Sequence, residues 1–163
     1  MSRPRRLDSR SYLGIRLYSL TICTHKRRPH FINPDTVART LWQFLRVAVD
    51  EGFEIVAYCF MPDHVHVIAV ATSAAADLRR LVGLAKQRTG FEFARTAGDR
   101  LWQEGFYERV VRSDQDLPAL IAYLVENPVR AGLVTSPAEY PYWGSQVYSR
   151  EEILEFVMPS RRR

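Results

Sequence analysis

The chain has 163 residues, the length of one ordinary domain with room for a sizeable core, and 47% of them are hydrophobic. It contains no run of about 18 apolar residues, which argues against a membrane span, and the basic start MSRPRRLDSR is not followed by the apolar stretch of a secretory signal. The net charge is +5, but Arg3, Arg5, Arg6 and Arg10 at one end and Arg161, Arg162 and Arg163 at the other supply it: residues 11–160 carry 16 basic and 17 acidic residues. Basic tails are compatible with nucleic acid, whereas a near-neutral body has to find its partner by local geometry.

In chain order, LGIRLYSLTICT (residues 13–24) alternates and is rich in β-formers, so a strand is expected. HKRRPHFINPD is a turn-rich link. From Asp35 the pattern turns helical, with Val37, Leu41, Phe44, Leu45 and Ala48 on one side, and it stops near Glu51–Gly52. FEIVAYCF is a second strand and VHVIAVA a third. MPDH joins them, with Pro62 and Asp63 where a type I turn accepts them, so residues 53–71 form a hairpin. SAAADLRRLVGLAKQRTGFEF is a second helix, with Leu78, Leu81, Val82 and Ala85 on its apolar face. TAGDR is a loop and FYERVVR a short fourth strand. Ser113 or Asp114 caps a third helix over about residues 115–126. SPAEYPYWGS reads as irregular and extended, and REEILEFV as a final helix. The order predicts an α+β fold of the ferredoxin-like βαββαβ plan, a mainly antiparallel sheet with helices on one face. The two cysteines, Cys23 and Cys59, lie in apolar segments and read as buried thiols in a reducing cytoplasm.

Two of the four histidines, His64 and His66, stand one residue apart. Residues i and i+2 of a strand share a face, so both imidazoles point one way while Val65 and Val67 point to the core. Such a pair is either two solvent-facing side chains or a bidentate platform for a metal. Structural zinc completed by Cys59 or Cys23 is one option, although no Cys-x-x-Cys occurs. Two imidazoles plus one oxygen ligand would suit Mn²⁺ or Mg²⁺, with positions open for phosphate oxygens.

The segment DLPALIAYLVENPVRAGLV can supply that oxygen. Leu117, Leu120, Ile121 and Leu124 form its apolar face. Tyr123 falls on the border of the stripe, and Asn127 lies one turn further along the same edge. A boundary tyrosine that simply reaches water is the plain alternative. Pro128 restricts Asn127 and can bend the helix there.

Together, MPDHVHV followed by LWQEGFYERVVRS, LIAYLVENPVRAGLV and YPYWGS closely resembles the REP-associated tyrosine transposases. These are relatives of the single-tyrosine insertion-sequence transposases within the HUH (His-hydrophobic-His) nucleases. The resemblance covers about residues 13–146. It implies that His64 and His66 are the HUH pair, Tyr123 the nucleophile and Asn127 the third metal ligand. The cofactor would be Mg²⁺ or Mn²⁺. The family commonly has Asn where this chain has Asp63. The implied activity is endonucleolytic cutting and strand transfer of single-stranded DNA near short hairpins through a 5′-phosphotyrosine. Residues 1–12 would then be a basic arm, 13–148 the HUH tyrosine transposase domain, and 149–163 a C-terminal helix with a basic tail. The expected protein is a cytoplasmic, nucleoid-associated monomer or homodimer.

The arginines of the N-terminal arm, Arg3, Arg5, Arg6 and Arg10, would run along phosphates. Among Trp102, Phe106, Tyr107, Tyr140, Tyr142 and Trp143, the last two are the candidates for stacking on bases, because they lie in a Pro-flanked irregular stretch. The competing readings are a non-catalytic nucleic-acid-binding module and a small protein with structural zinc. The absence of any phosphate-cradling glycine loop agrees with a reaction that needs no ATP.

Overall fold

The computed structural model describes residues 16–111 and 117–158. The expected arm arginines, the Ser113 or Asp114 cap and the C-terminal arginines lie outside the described residues. Five strands, β1 (Leu17–Cys23), β2 (Phe53–Met61), β3 (His64–Ala71), β4 (Tyr107–Val111) and β5 (Trp143–Gly144), form one sheet in the order β4-β1-β3-β2-β5. Every neighbouring pair is antiparallel. Among the described residues the α-helices are α1 (Pro34–Asp50), α2 (Leu78–Ala97), α3 (Leu117–Val125), α4 (Asn127–Arg130) and α5 (Arg150–Val157). Strands β1 to β4 with α1 and α2 reproduce the expected βαββαβ plan. Strand β3, which carries both histidines, is in the middle of the sheet with β1 and β2 on its two sides.

The helix starts are set by capping side chains, one residue before the expected start in α1 and five residues after it in α2. Asn33 accepts from the N–H groups of Asp35 and Thr36, so α1 begins with Pro34 in its first turn, where a missing N–H costs nothing. Asp77 accepts from the N–H groups of Arg79 and Arg80, so α2 starts at Leu78 and residues 73–76 are turn. Gly98, at φ 65°, ends it in the left-handed conformation.

The sheet has a core on each face. Tyr18, Leu20 and Ile22 of β1 and Val65, Val67 and Ala69 of β3 pack with Phe44 and Val47 of α1 and Leu78, Leu81 and Val82 of α2. On the other face Leu17, Cys59, Met61 and Ile68 pack with Ile121, Leu124 and Val125 of α3 and Ile153 of α5. The two crossover helices thus share one face, as expected. The expectation of helices on one face alone is corrected by the second layer. Its cause is compositional: FEIVAYCF is apolar at almost every position, so its strand demands cover on both sides.

A bulge in β2 between Ile55 and Ala57 decides which residues face which core. Before it, odd-numbered Phe53 and Ile55 belong to the α1/α2 core; after it, odd-numbered Cys59 and Met61 belong to the α3/α5 core. One extra residue inverts the alternation and sets Cys59 opposite His66 and Met61 opposite His64.

The stretch expected to be irregular contributes strand β5. Trp143 pairs with Cys59 and Gly144 with Tyr58. A Cβ on Gly144 would lie 2.5 Å from the Tyr58 hydroxyl, so only glycine allows this approach. Trp143 is 2% exposed, its indole N–H donates to the Pro137 carbonyl at 2.8 Å, and the Arg150 guanidinium covers its ring. It is a core residue, and the reading of Trp143 as a base-stacking side chain is corrected. Trp102, Phe106 and Tyr140 are buried as well. Tyr142 is half-buried and packs edge-on against the Tyr140 ring.

Candidate active site

His64 and His66 open β3 and point to the α3/α5 face, because Val65 and Val67 point to the other. Their rings meet edge to face with centroids 4.7 Å apart, and the two Nε2 atoms are 3.0 Å from one another. The far nitrogen of each ring has its own partner. His66 Nδ1 is 3.0 Å from Thr21 Oγ1 on β1, directly across the strand pair. His64 Nδ1 is 2.6 Å from Asp63 Oδ1. Because an ionised carboxylate only accepts, His64 Nδ1 is the donor and its Nε2 presents a lone pair. In the His66 tautomer whose Nδ1–H donates to Thr21 Oγ1, both Nε2 lone pairs face one point. Outer partners fix the rings of metal-bound histidines in the same way.

Asp63 is itself anchored. Its second oxygen is 2.9 Å from Arg27 Nε, and Arg27 Nη1 donates to the Cys23 thiol sulfur at 2.7 Å. Arg27 is held at φ 55° and Lys26 at φ 54°, a left-handed backbone that costs side-chain-bearing residues about 1–2 kcal/mol apiece. The chain between β1 and α1 is thereby folded back onto the hairpin turn, where Thr24 N–H and Oγ1 both donate to the Asp63 carbonyl. The sequence pattern shows Asp63 as a turn residue only; its part in orienting His64 becomes visible once the neighbouring segment is in place.

Burial pushes the His66 imidazolium down to about 4, with the neighbouring His64 and the charges of Arg130 and Arg27 acting the same way. Burial also lowers His64, against the opposing pull of Asp63. Both rings are therefore neutral near pH 7, the protonation state in which imidazole binds a metal. The donor set fits a divalent cation: two neutral, convergent, externally oriented nitrogens.

The zinc alternative finds less support. Register sets Cys23 opposite His64 and Cys59 opposite His66. Yet among the described residues no three His, Cys, Asp or Glu side chains gather as a metal group. Burial pushes the Cys59 thiol up to about 12, away from the thiolate that zinc requires.

Tyr123 lies on α3, which packs against the same face of the sheet. It is 61% exposed, further out than the border position the helical wheel gives. Burial raises the phenols of Tyr18, Tyr58 and Tyr140, so these are poor candidates for any attack on an external group. Among the described residues the exposed phenols are Tyr123, Tyr107 and Tyr148.

Asn127 does not continue α3. The helix stops at Val125 and Asn127 begins the separate turn α4, with Pro128 in its first turn where a missing N–H is tolerated. Tyr123 and Asn127 are connected instead by Arg130. Its guanidinium is 3.8 Å from the centroid of the Tyr123 ring, and Nη2 donates to both the Tyr123 carbonyl and, at 2.9 Å, Asn127 Oδ1. Nη1 is 3.5 Å from Glu126 Oε2. Asn127 Nδ2 donates to the Leu124 carbonyl at 3.2 Å, which turns Oδ1 outward as the acceptor. Sequence reasoning missed Arg130, although its spacing of three from Asn127 and seven from Tyr123 puts it on their side of a helix.

The site thus consists of two couples, His64 with His66 and Tyr123 with Asn127. Among the described residues no hydrogen bond or ring contact joins one couple to the other; the connection is the charge of Arg130, which reaches His66. The fold and site define a ferredoxin-like α+β domain with a paired-histidine platform on its central strand and an exposed tyrosine on a helix covering the same face. The chain belongs to the IS200-like transposase family, whose sequence model matches residues 16–127, a span that takes in the histidine pair, Tyr123 and Asn127. A REP-associated tyrosine transposase of Escherichia coli is 30% identical over 110 residues, covering 63% of this chain and 64% of that protein. A Haemophilus influenzae protein named as a transposase of the same kind is 27% identical over 139 residues, covering 77% of each. A solved REP-associated tyrosine transposase bound to a REP hairpin shares the fold, at 24% identity and a TM-score of 0.72, covering 88% of this chain and 82% of that one. The resemblance seen in the sequence motifs is borne out.

Proposed function

We propose that the protein is a divalent-cation-dependent endonuclease and strand transferase for single-stranded DNA that cuts near REP-like hairpins through a 5′-phosphotyrosine intermediate. The observation that carries this reading is the convergence of the His64 and His66 Nε2 atoms, 3.0 Å apart, with Thr21 and Asp63 holding the far side of each ring. His64, His66 and Asn127 would hold Mg²⁺ or Mn²⁺, which when bound polarises the scissile phosphate and stabilises the charge that develops on it.

The chain's own residues do the rest. Tyr123 presents its hydroxyl to the phosphorus. A bond forms between the phenolic oxygen and phosphorus, the bond from phosphorus to the 3′ oxygen breaks, and the phenol's proton is lost as the 3′ end leaves as a hydroxyl. The DNA retains its phosphoryl group as an ester of Tyr123, so another 3′-hydroxyl can reverse the step without ATP. A neutral phenol is a weak nucleophile, so its attack calls for an electrophilically activated phosphate. Hairpin binding by the relative of shared fold supports the same substrate class here. Action on chromosomal DNA would put the protein in the cytoplasm with the nucleoid, as monomer or homodimer. No helix among the described residues is long and apolar enough to cross a membrane.

The test is incubation of purified protein with end-labelled single-stranded hairpin DNA and Mn²⁺ or Mg²⁺. A denaturation-resistant protein–DNA adduct that depends on the cation is the expected result. Tight hairpin binding with no adduct under any divalent cation would establish the non-catalytic binding module instead.

A further inference from the structure

The geometry points to Arg130 as a positioning residue that couples the nucleophile to the cation site, an inference that rests on the reading of Tyr123 and Asn127 given above. One guanidinium touches both. It lies against the Tyr123 ring at 3.8 Å, and the same Nη2 that donates to the Tyr123 carbonyl donates to Asn127 Oδ1 at 2.9 Å. The Asn127 amide is thus held from both ends, by the Leu124 carbonyl on Nδ2 and by Arg130 on Oδ1. An amide oxygen has two lone pairs, so the bond from Arg130 leaves one for a cation. In this role Arg130 acts on Asn127 as outer-shell partners act on metal ligands generally, fixing the orientation of the donor atom.

The need for such a residue follows from the break at Glu126. Were α3 continuous, Tyr123 and Asn127 would be fixed relative to each other by i, i+4 spacing. Glu126 instead lies between the two helices, at φ −82° and ψ −7°, and α4 is only the four residues Asn127–Arg130. Among the described residues no hydrogen bond runs directly between the Tyr123 and Asn127 side chains, whose polar contacts go instead to Arg130 and the backbone. Arg130 bridges the break by bonding to the carbonyl on one side and the amide on the other, while Glu126, at the break itself, lies 3.5 Å from its Nη1. The guanidinium lies over the Tyr123 ring while Nη2 makes both bonds and Nη1 faces Glu126, and a single ammonium nitrogen cannot serve all of these at once. Arg130 is itself exposed, so its replacement removes no core packing.

The experiment compares Arg130→Ala and Arg130→Lys with the unaltered protein by three readouts: single-turnover adduct formation at saturating Mn²⁺ and hairpin DNA, Mn²⁺ affinity of the DNA-free protein by calorimetry, and the ring-proton NMR resonances of Tyr123 in metal-free, DNA-free protein. Both variants are expected to lose about tenfold or more in adduct rate and several-fold in Mn²⁺ affinity, in the range that outer-shell replacements give. The Tyr123 resonances should move in both, and hairpin affinity should change less than about threefold. Full recovery of rate and Mn²⁺ affinity in Arg130→Lys would overturn the inference, because charge alone would then suffice. Unchanged rate and unchanged Tyr123 resonances in Arg130→Ala would overturn it too. Tyr123→Phe run in parallel separates the two levels of argument: an adduct that persists there refutes Tyr123 as nucleophile, whereas an adduct lost there but formed at full rate in Arg130→Ala refutes only the role of Arg130.

Discussion

The two couples of the site are built in opposite ways. His64 and His66 sit on the central strand of the sheet, with β1 and β2 hydrogen-bonded on either side and every ring nitrogen within reach of a partner. Tyr123 is 61% exposed, and no hydrogen bond to its hydroxyl is present among the described residues. A platform that must present two donors to a small ion profits from rigidity, since binding then loses little entropy. A nucleophile that must reach a phosphate and then carry a DNA strand has to be accessible. Under the proposed function the site separates a fixed half on the sheet from a reachable half on the helix, and the substrate phosphate would bring them together.

The largest effect should come from the reachable half. Tyr123→Phe is expected to abolish the covalent adduct completely while changing stability by no more than about 0.5 kcal/mol, the usual range for an exposed position. Denaturing gels and a thermal melt check the two halves of that statement; an unfolded Phe variant would mean that the phenol is structural after all. Next come the platform residues. His64→Ala and His66→Ala should each remove cation-dependent cleavage while hairpin binding, measured by mobility shift, persists. Asn127→Ala should act more mildly, raising the Mn²⁺ concentration needed for half-maximal cleavage, since two imidazoles remain. Full cleavage by the His66 variant at ordinary Mg²⁺ concentrations would contradict the platform.

The histidine pattern and the order of elements were readable because they depend on short-range rules. Alternation in VHV puts two imidazoles on one face whatever the rest of the fold does, and strand–helix–strand–strand–helix–strand leaves few topologies. What could not be read depends on contacts between distant segments. The β2 bulge that sets Cys59 across from His66 is invisible in a stretch where almost every residue is apolar. Trp143 looks like a surface aromatic among prolines and becomes core only because β5 adds to the edge of β2. Asp63 reads only as a turn residue because its partner Arg27 is brought to it by the fold, whereas Arg130 is local to Tyr123 and Asn127 and its spacing gains a meaning only from the contacts of its guanidinium.

The fixed half also predicts a pH dependence of intermediate size. The folded-state value of His66 is about 4, against 6.5 for an unperturbed histidine. Between those values the unfolded chain takes up a proton that the folded chain refuses, so stability falls as pH drops through that window and is level above it. The loss from His66 is on the order of 3 kcal/mol by pH 4, with His64 contributing in the same direction. Urea denaturation from pH 8 to 4 should show the decline below about pH 6.5, and His66→Ala should reduce it; a curve for the Ala variant parallel to that of the unaltered protein would remove His66 as the cause.

The smallest effect concerns the termini. Deleting residues 1–10 and 161–163 removes seven arginines and is expected to flatten the salt dependence of hairpin binding. Every single-strand phosphate that an arginine neutralises adds about 0.7 to the steepness of the log–log slope, and the truncated protein forgoes that amount for each one. Matched and unmatched hairpins should weaken by similar factors, since phosphate contacts position without specifying. An unchanged slope would assign binding to the folded face alone.

The central claim, that a strand-borne platform serves one reachable tyrosine, is tested most directly by mapping the covalent adduct. Protease digestion and mass spectrometry of the trapped Mn²⁺ reaction should find the nucleotide on the peptide containing Tyr123 and on no other. Recovery of the adduct on Tyr107 or Tyr148, the other exposed phenols among the described residues, would contradict it.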